Sequence, residues 1–316
     1  NNEGKTRIYQ YSSNGWSQLG QDLIGVSGDS SGWSVSLSAD GTIVAIGAYQ
    51  HNSDTGRTRI YQYNGSTWLP IDNGGIVGGP GDKSGWSVSL SADGTIVAIG
   101  ANHYDVGNYT NEGRTRIYQY SNTWTQLGQD LVGDNGDFSG RSVSLSADGT
   151  IVAIGAYSHD AAVGGNNHGR TRIYQYSSNT WSQLGQDLVG GDGDFSGNSV
   201  SLSADGTIVA IGANQHNATS VSSNHGRTRI WKYRTVTQDE WQSSNIFIAT
   251  AGQTGVGDDT TDGNRGETYS STTKYWIQLG SDIVGDDGDL SGNSVSLSAD
   301  GTIVAIGGGV LIGGAV

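Results

Sequence analysis

The stretch SVSLSADGTIVAIGA, Ser34–Ala48, decides the fold. Two short segments rich in Val and Ile flank Ala39-Asp40-Gly41, and Asp-Gly between apolar strands marks a hairpin, because glycine accepts the positive φ of a tight turn. In SVSLS, Val35 and Leu37 share one face while Ser34, Ser36 and Ser38 share the other. TIVAIGA is apolar on both faces, which predicts a strand sandwiched between neighbouring sheets. The motif recurs through its glycine from Ser87, Ser142, Ser199 and Ser294.

Outward from it, each copy carries the same companions. KTRIYQY starts at Lys5, RTRIYQY at Arg57, Arg114 and Arg170, and RTRIWKY at Arg227, the last three steps being 57, 56 and 57 residues. W-x-Q-L-G follows at Trp16, Trp124, Trp181 and Trp276, with a diverged WLPID at Trp68, and G-D-x-S-G precedes each SVSLS. The segments are rich in Val, Ile, Thr and Tyr and are separated by Gly, Asn, Asp and Ser, the strand-and-turn signature. Four antiparallel strands per unit of about 55 residues predict the blade of a β-propeller.

The expectation is therefore an all-β chain forming one propeller domain over residues 1–316. Five units are clear, and residues 234–275, including NIFIATAG at 245–252, read as a degenerate blade or insertion. Six blades are the first choice, with five or a fragment of a larger ring as alternatives. The sequence starts at a third strand and stops after a second. The N-terminal strands are thus expected to complete the last blade and close the ring, removing exposed edges.

Composition narrows the function classes. There are 52 glycines, two prolines and no cysteine, which removes disulfide scaffolds, thiol catalysis and iron–sulfur ligation. A net charge of -14 argues against nucleic acid and anionic membrane surfaces as partners. No apolar run is long enough to span a bilayer. Without an initiating methionine or signal peptide, the sequence reads as a processed or partial form.

The order GxSVSLSADGTIVAIGA…GRTRIYQY is similar to the FG-GAP repeat family of integrin α-chain propellers, over nearly the whole chain. The fuller wording, WxQLGxD…GDxSGxSVSLSADGxxVAIGA, resembles a secreted or surface subfamily of marine microalgae and bacteria. The resemblance implies a propeller that is extracellular, with a protein or glycan of the matrix or cell surface as partner. Integrin-type repeats often carry a calcium loop in the first hairpin, but Ala-Asp-Gly is too short for one.

Calcium is expected, if anywhere, at Asp192-Gly-Asp194 and Asp287-Gly-Asp289, where alternate carboxylates resemble half of a calcium loop, or at Asp258 and Asp262 in the insertion. The competing reading of the G-D-x-S-G aspartates is an Asx-type turn. Histidines recur after TIVAIGA at His51, His103, His159 and His216, and the pairs His159/His168 and His216/His225 offer imidazoles for zinc or copper, against a reading as exposed loop residues. Trp33, Trp86, Tyr49, Tyr104, Tyr109 and Tyr157 fall beside the same turns and loops, a ligand face where rings would stack on sugars. The paired arginines of RTR read as structural partners of nearby Asp. Asn64, Asn108 and Asn217 head glycosylation sequons.

No catalytic residues are assigned, because no nucleophile elbow, H-E-x-x-H or phosphate loop is present. The sequence thus predicts a non-enzymatic adhesion, structural-assembly or recognition module, with self-assembly among its roles. A propeller lectin and a metal-dependent polysaccharide hydrolase or lyase are the alternatives.

Overall fold

The computed structural model describes residues 2–13, 15–107, 110–160, 166–217, 224–235 and 274–309. Its regular structure is antiparallel sheet, and among the described residues the one helical segment is the short turn His51–Asp54. The chain divides into two compact units, residues 1–150 with 176–181, and residues 151–175 with 182–316.

The first unit holds two whole blades. In one, Ser34–Leu37, Ile43–Ala48, Arg57–Tyr63 and Trp68–Pro70 pair in order, and Ile76–Val77 returns to the start of the third strand. The next repeats this with Ser87–Leu90, Ile96–Ala101, Arg114–Tyr120, Trp124–Gln126 and Leu131–Val132. Register repeats with sequence: Ala45 faces Ile60, and Ala98 faces Ile117. The fourth segment, one strand in the sequence reading, breaks into two short ones at a left-handed glycine such as Gly128, φ 75°.

Blade-to-blade packing in this unit explains the repeat's wording. Val88 and Leu90 of SVSL are buried against Ala45 and Ile60 of the preceding blade. The serines on the other face bond across the junction. Ser34 Oγ donates to the Gly85 carbonyl at 2.9 Å, Ser87 Oγ to that of Gly140 at 2.9 Å, and Ser36 Oγ accepts the Leu90 N–H at 2.9 Å. Two tryptophans at the W-x-Q place, Trp68 and Trp181, lock into the repeat before them. Trp68 donates Nε1–H to the Leu19 carbonyl at 2.8 Å, and Gln21 clamps its backbone at both N–H (3.0 Å) and carbonyl (2.7 Å). Trp181 does the same with Leu127 and Gln129.

The second unit carries the blade Ser196–Leu202, Ile208–Ala213, Arg227–Thr235, Lys274–Gln278 and Ile283–Val284, its first strand bulged between Ser196 and Ser199. Ile151–Ala156 pairs with Arg170–Gln175, to whose start Leu188–Val189 returns. Trp276 fills the core with Ile173, Val200, Leu202 and Val209, and donates to the Leu184 carbonyl at 2.7 Å.

Tyr233 pairs with Trp276 and Arg234 with Tyr275, so the ends of segment 234–275 are third and fourth strands of one blade. At these ends the segment therefore lies within a hairpin where other blades have a short turn, and residues 236–273 lie outside those described. Ring closure requires a further strand on each end sheet. Among the described residues, Ser294–Leu297 pairs only with Val304–Gly307, and Tyr9–Ser12 only with Gly15–Gln18.

Candidate ligand-binding face

The G-D-x-S-G aspartates are charge anchors. Asp29 is buried, receives the Val26 N–H, and holds His51 Nδ1 at 2.8 Å and Arg57 at 2.8 Å on its two oxygens. Asp82 takes the Gly79 N–H and Arg114, both at 2.7 Å. Asp194 takes the Gly191 N–H, His216 Nδ1 at 2.7 Å and Arg227. The second arginine of each RTR reaches a further aspartate: Arg59 to Asp72 at 2.9 Å, Arg116 to Asp130 at 3.2 Å, Arg229 to Asp282 at 3.1 Å. The turn aspartates thus cap backbone N–H groups as an Asx-type turn does, and the same carboxylates pair the strand arginines. The same bonds oppose calcium at Asp194, since an ion would displace both His216 and Arg227.

These carboxylates tie stability to pH. Burial pushes Asp194 up, but the His216 hydrogen bond, the Arg227 charge and the Gly191 N–H outweigh it and hold it below its ordinary 3.8. Burial is likewise outweighed at Asp187 by Arg170 and Arg172, and at Asp282 by Arg229 and Arg227. A depressed carboxyl binds protons more readily unfolded than folded, so its contribution is present above the ordinary value and lost as pH falls through the folded one. The melting temperature is expected to hold between pH 7 and 5 and to fall steeply below about pH 4. Thermal melts across that range check it; a flat profile to pH 2 would contradict it.

The same turns carry an aromatic cluster in the first unit. Trp33 and Trp86 each follow the last glycine of G-D-x-S-G, and Tyr49 follows the second strand after Ala48. The three rings meet pairwise, centroids 4.8 Å apart for Trp33–Tyr49, 5.2 Å for Trp33–Trp86 and 4.9 Å for Tyr49–Trp86. His103 extends the row at 5.9 Å from Trp86, Phe138 follows at 5.2 Å, and the Arg141 guanidinium lies 5.0 Å above Trp86. Trp33 remains 54% exposed, although it touches two other rings. Burial, with the positive charge of Lys83 beside it, holds His103 below the usual imidazole range, so it is neutral at pH 7.

Of the predicted site residues, Trp33, Trp86, Tyr49 and His103 come together. His51 and His216 serve buried aspartates instead. Tyr104 lies under the Arg114 guanidinium at 3.7 Å, and Tyr157 stacks on Phe195 at 5.8 Å. His159 sits at the base of its loop, its carbonyl accepting the Gly169 N–H at 3.0 Å. Phe138 was missed by the sequence reading. It occupies the variable place of G-D-x-S-G, where Ser30, Lys83, Phe195 and Leu290 share its left-handed backbone, so the signal was positional.

Several of the metal candidates are bonded elsewhere. Asp192 accepts from Asn166 at 3.2 and 3.3 Å, and Asp289 from the Asp286 N–H at 3.0 Å. The buried Nδ1 atoms of His168 and His225 have no hydrogen-bond partner. Among the described residues, none of Asp192, Asp194, Asp287, Asp289, His168, His216 and His225 belongs to a set of three ligand groups within 4.8 Å of one another. Asp258 and Asp262, like Tyr109 and the sequon residue Asn108, lie outside the described residues. Asn64 and Asn217 are exposed, and Asn64 Oδ1 closes its own turn on the Ser66 and Thr67 N–H groups.

Fold and repeat define a protein of the β-propeller class. No protein-family model and no curated protein matches the chain. Among solved structures, the periplasmic gluconolactonase PpgL of Pseudomonas aeruginosa is similar over 95% of this chain and 70% of its own, at 13% identity and TM-score 0.52. TolB of Acinetobacter baumannii is similar at 16% identity and TM-score 0.39, over 63% of this chain and 40% of its own. Hydrazine synthase of Kuenenia stuttgartiensis gives 10%, 0.46, 86% and 60%. The chain thus spans less than two thirds of the latter two proteins.

The likeness to PpgL is one of fold, and it corrects the expectation of a non-enzymatic protein. A propeller of this kind carries an enzyme in that case, so missing local motifs are no ground for excluding catalysis here.

Proposed function

We propose that this chain is a glycan-recognition propeller acting outside the cytoplasm, with Trp33, Tyr49 and Trp86 as its binding surface. The observation that carries the reading is the three-ring cluster with Trp33 more than half exposed. Hydration of so large an apolar ring is unfavourable, and packing alone would bury it. Sugar rings present C–H faces that cover such surfaces, while their hydroxyls need polar groups at the rim. Arg141, whose guanidinium lies 5.0 Å above Trp86, is the polar group this reading assigns to the rim. The FG-GAP resemblance and the exposed sequon residues Asn64 and Asn217 support an exported location.

A glycan array followed by titration of the best ligand tests the reading. Trp33→Ala is expected to weaken binding at least about tenfold, or about 1.4 kcal/mol, with an unchanged melting temperature. An array with no binding to any sugar would remove the proposal.

A further inference from the structure

On the glycan reading, on which this rests, we propose that the ligand of the Trp33–Tyr49–Trp86 face is an acidic sugar. Its carboxylate or sulfate oxygens would be held by Lys83 and Arg141, beside the tryptophans.

The departures of this chain from its own repeat gather around Trp86. The variable place of G-D-x-S-G is taken by Ser30, Lys83, Phe138, Phe195 and Leu290, and the place after its last glycine by Trp33, Trp86, Arg141, Asn198 and Asn293. Among these residues only Lys83 and Arg141 are charged, and both stand beside the same ring. The Arg141 guanidinium lies 5.0 Å above Trp86. The Lys83 ammonium lies 3.4 Å from Nε2 of His103, whose ring centroid is 5.9 Å from that of Trp86.

His103 is itself out of step. His51, His159 and His216 each stand three residues after the alanine that ends TIVAIGA, and His51 and His216 hold buried turn aspartates. His103 stands two residues after Ala101, and Tyr104 takes the third place, under the Arg114 guanidinium. Shifted by one residue, the imidazole bonds to Asn102 and Lys83 rather than to a carboxylate. A neutral imidazole has one N–H and one lone pair. Nδ1–H donates to Oδ1 of the buried Asn102 at 3.0 Å, which leaves Nε2 to accept from Lys83. The relay Asn102–His103–Lys83 holds a flexible side chain in one place and removes part of the ordering cost of binding.

Charge decides which ligand fits. The strand arginines are matched by aspartates, Arg57 by Asp29, Arg59 by Asp72 and Arg114 by Asp82 and Asp130. Lys83 forms no ion pair among the described residues. Asp54 and Asp105 are the carboxylates that act on His103, and Asp105 accepts the Asn111 N–H of its own loop. A cationic ligand would meet two like charges at these rings, and a neutral sugar would leave the ammonium unmatched. An oxyanion on the edge of a sugar accepts from both groups, and a guanidinium offers it a fork of two N–H donors. The C–H face of the same sugar would cover the exposed Trp33.

Titration calorimetry with oligomers of polygalacturonate, dextran sulfate, plain dextran and polyglutamate tests this. One of the two acidic sugars is expected to bind at least about tenfold tighter than dextran, and which one it is assigns carboxylate or sulfate. The net charge of -14 repels polyanions from the rest of the surface, so polyglutamate is expected to bind weakly. Polyglutamate binding as tight as that of the acidic sugars overturns the proposal, since charge alone would then be read. Lys83→Gln and Arg141→Gln should each weaken acidic-sugar binding about five- to tenfold and leave binding of neutral sugars unchanged. Lys83→Gln breaks no ion pair, so its melting temperature should match the wild type. Trp33→Ala should weaken acidic and neutral sugars alike. If neutral sugars bind as tightly as acidic ones, or both glutamine variants bind acidic sugars like the wild type, the acidic class is wrong while the glycan reading stands. If no sugar binds at all, the glycan reading falls and the acidic class falls with it.

Discussion

Trp276→Ala is expected to destabilise the protein by about 3–5 kcal/mol, read from denaturant unfolding. The ring is buried among Ile173, Val200, Leu202 and Val209, and its removal leaves a cavity that strand pairing on both sides keeps from collapsing. It also orphans the Leu184 carbonyl, which accepts Nε1–H at 2.7 Å. Trp276→Phe separates the two effects: it keeps most of the volume and loses the hydrogen bond, for about 1–3 kcal/mol. Trp124 is the internal control. The segment before it reads Ile71-Asp72-Asn73 where others read Leu-Gly-Gln, and its buried Nε1 has no partner. Trp124→Phe is therefore expected to cost under about 0.5 kcal/mol. Equal losses at the two positions would contradict the lock described for the junctions.

Strand existence, order and type were legible because each repeat states them in its period. IVAIGA is apolar on both faces and is buried throughout in Ile96–Ala101 and Ile208–Ala213. The acidic excess was harder to read, because its partners are distant in sequence. Asp29 meets Arg57 28 residues on, and Asp194 meets Arg227 33 residues on, so only the folded register reveals which aspartate each strand arginine meets. The segment at 234–275 was open between blade and insertion for a related reason. NIFIATAG resembles a second strand in composition, and composition cannot say that Tyr233 and Trp276 are paired across it. At the candidate site, the sequence placed Trp33, Trp86 and Tyr49 on one face but not in one cluster. Their contact depends on successive turns lying side by side, a matter of blade stacking rather than local pattern.

Glycine abundance resolves into two kinds of need, and Gly100→Ala should show the larger. A Cβ there would lie 2.2 Å from the Gly140 carbonyl oxygen and 2.3 Å from Ser87 Oγ, the two groups that bond to each other at 2.9 Å. Backbone cannot move aside as a flexible side chain does, so the methyl must push the two blades apart and break that hydrogen bond. The expected cost is about 3 kcal/mol. Gly65 is of the other kind. Its φ is 94° and nothing lies within 4 Å of its Cβ position, so Gly65→Ala pays only for a left-handed backbone, about 1–2 kcal/mol. Paired thermal and denaturant melts of the two variants measure the difference. If Gly65→Ala proved the more damaging, the close approach of blades at Gly100 would not be what the IVAIGA glycine is for. If Gly100→Ala is worse, the glycines Gly47, Gly100 and Gly212 are each fixed by the backbone carbonyl of the turn beside them, and the uniformity of these repeats follows from one steric rule.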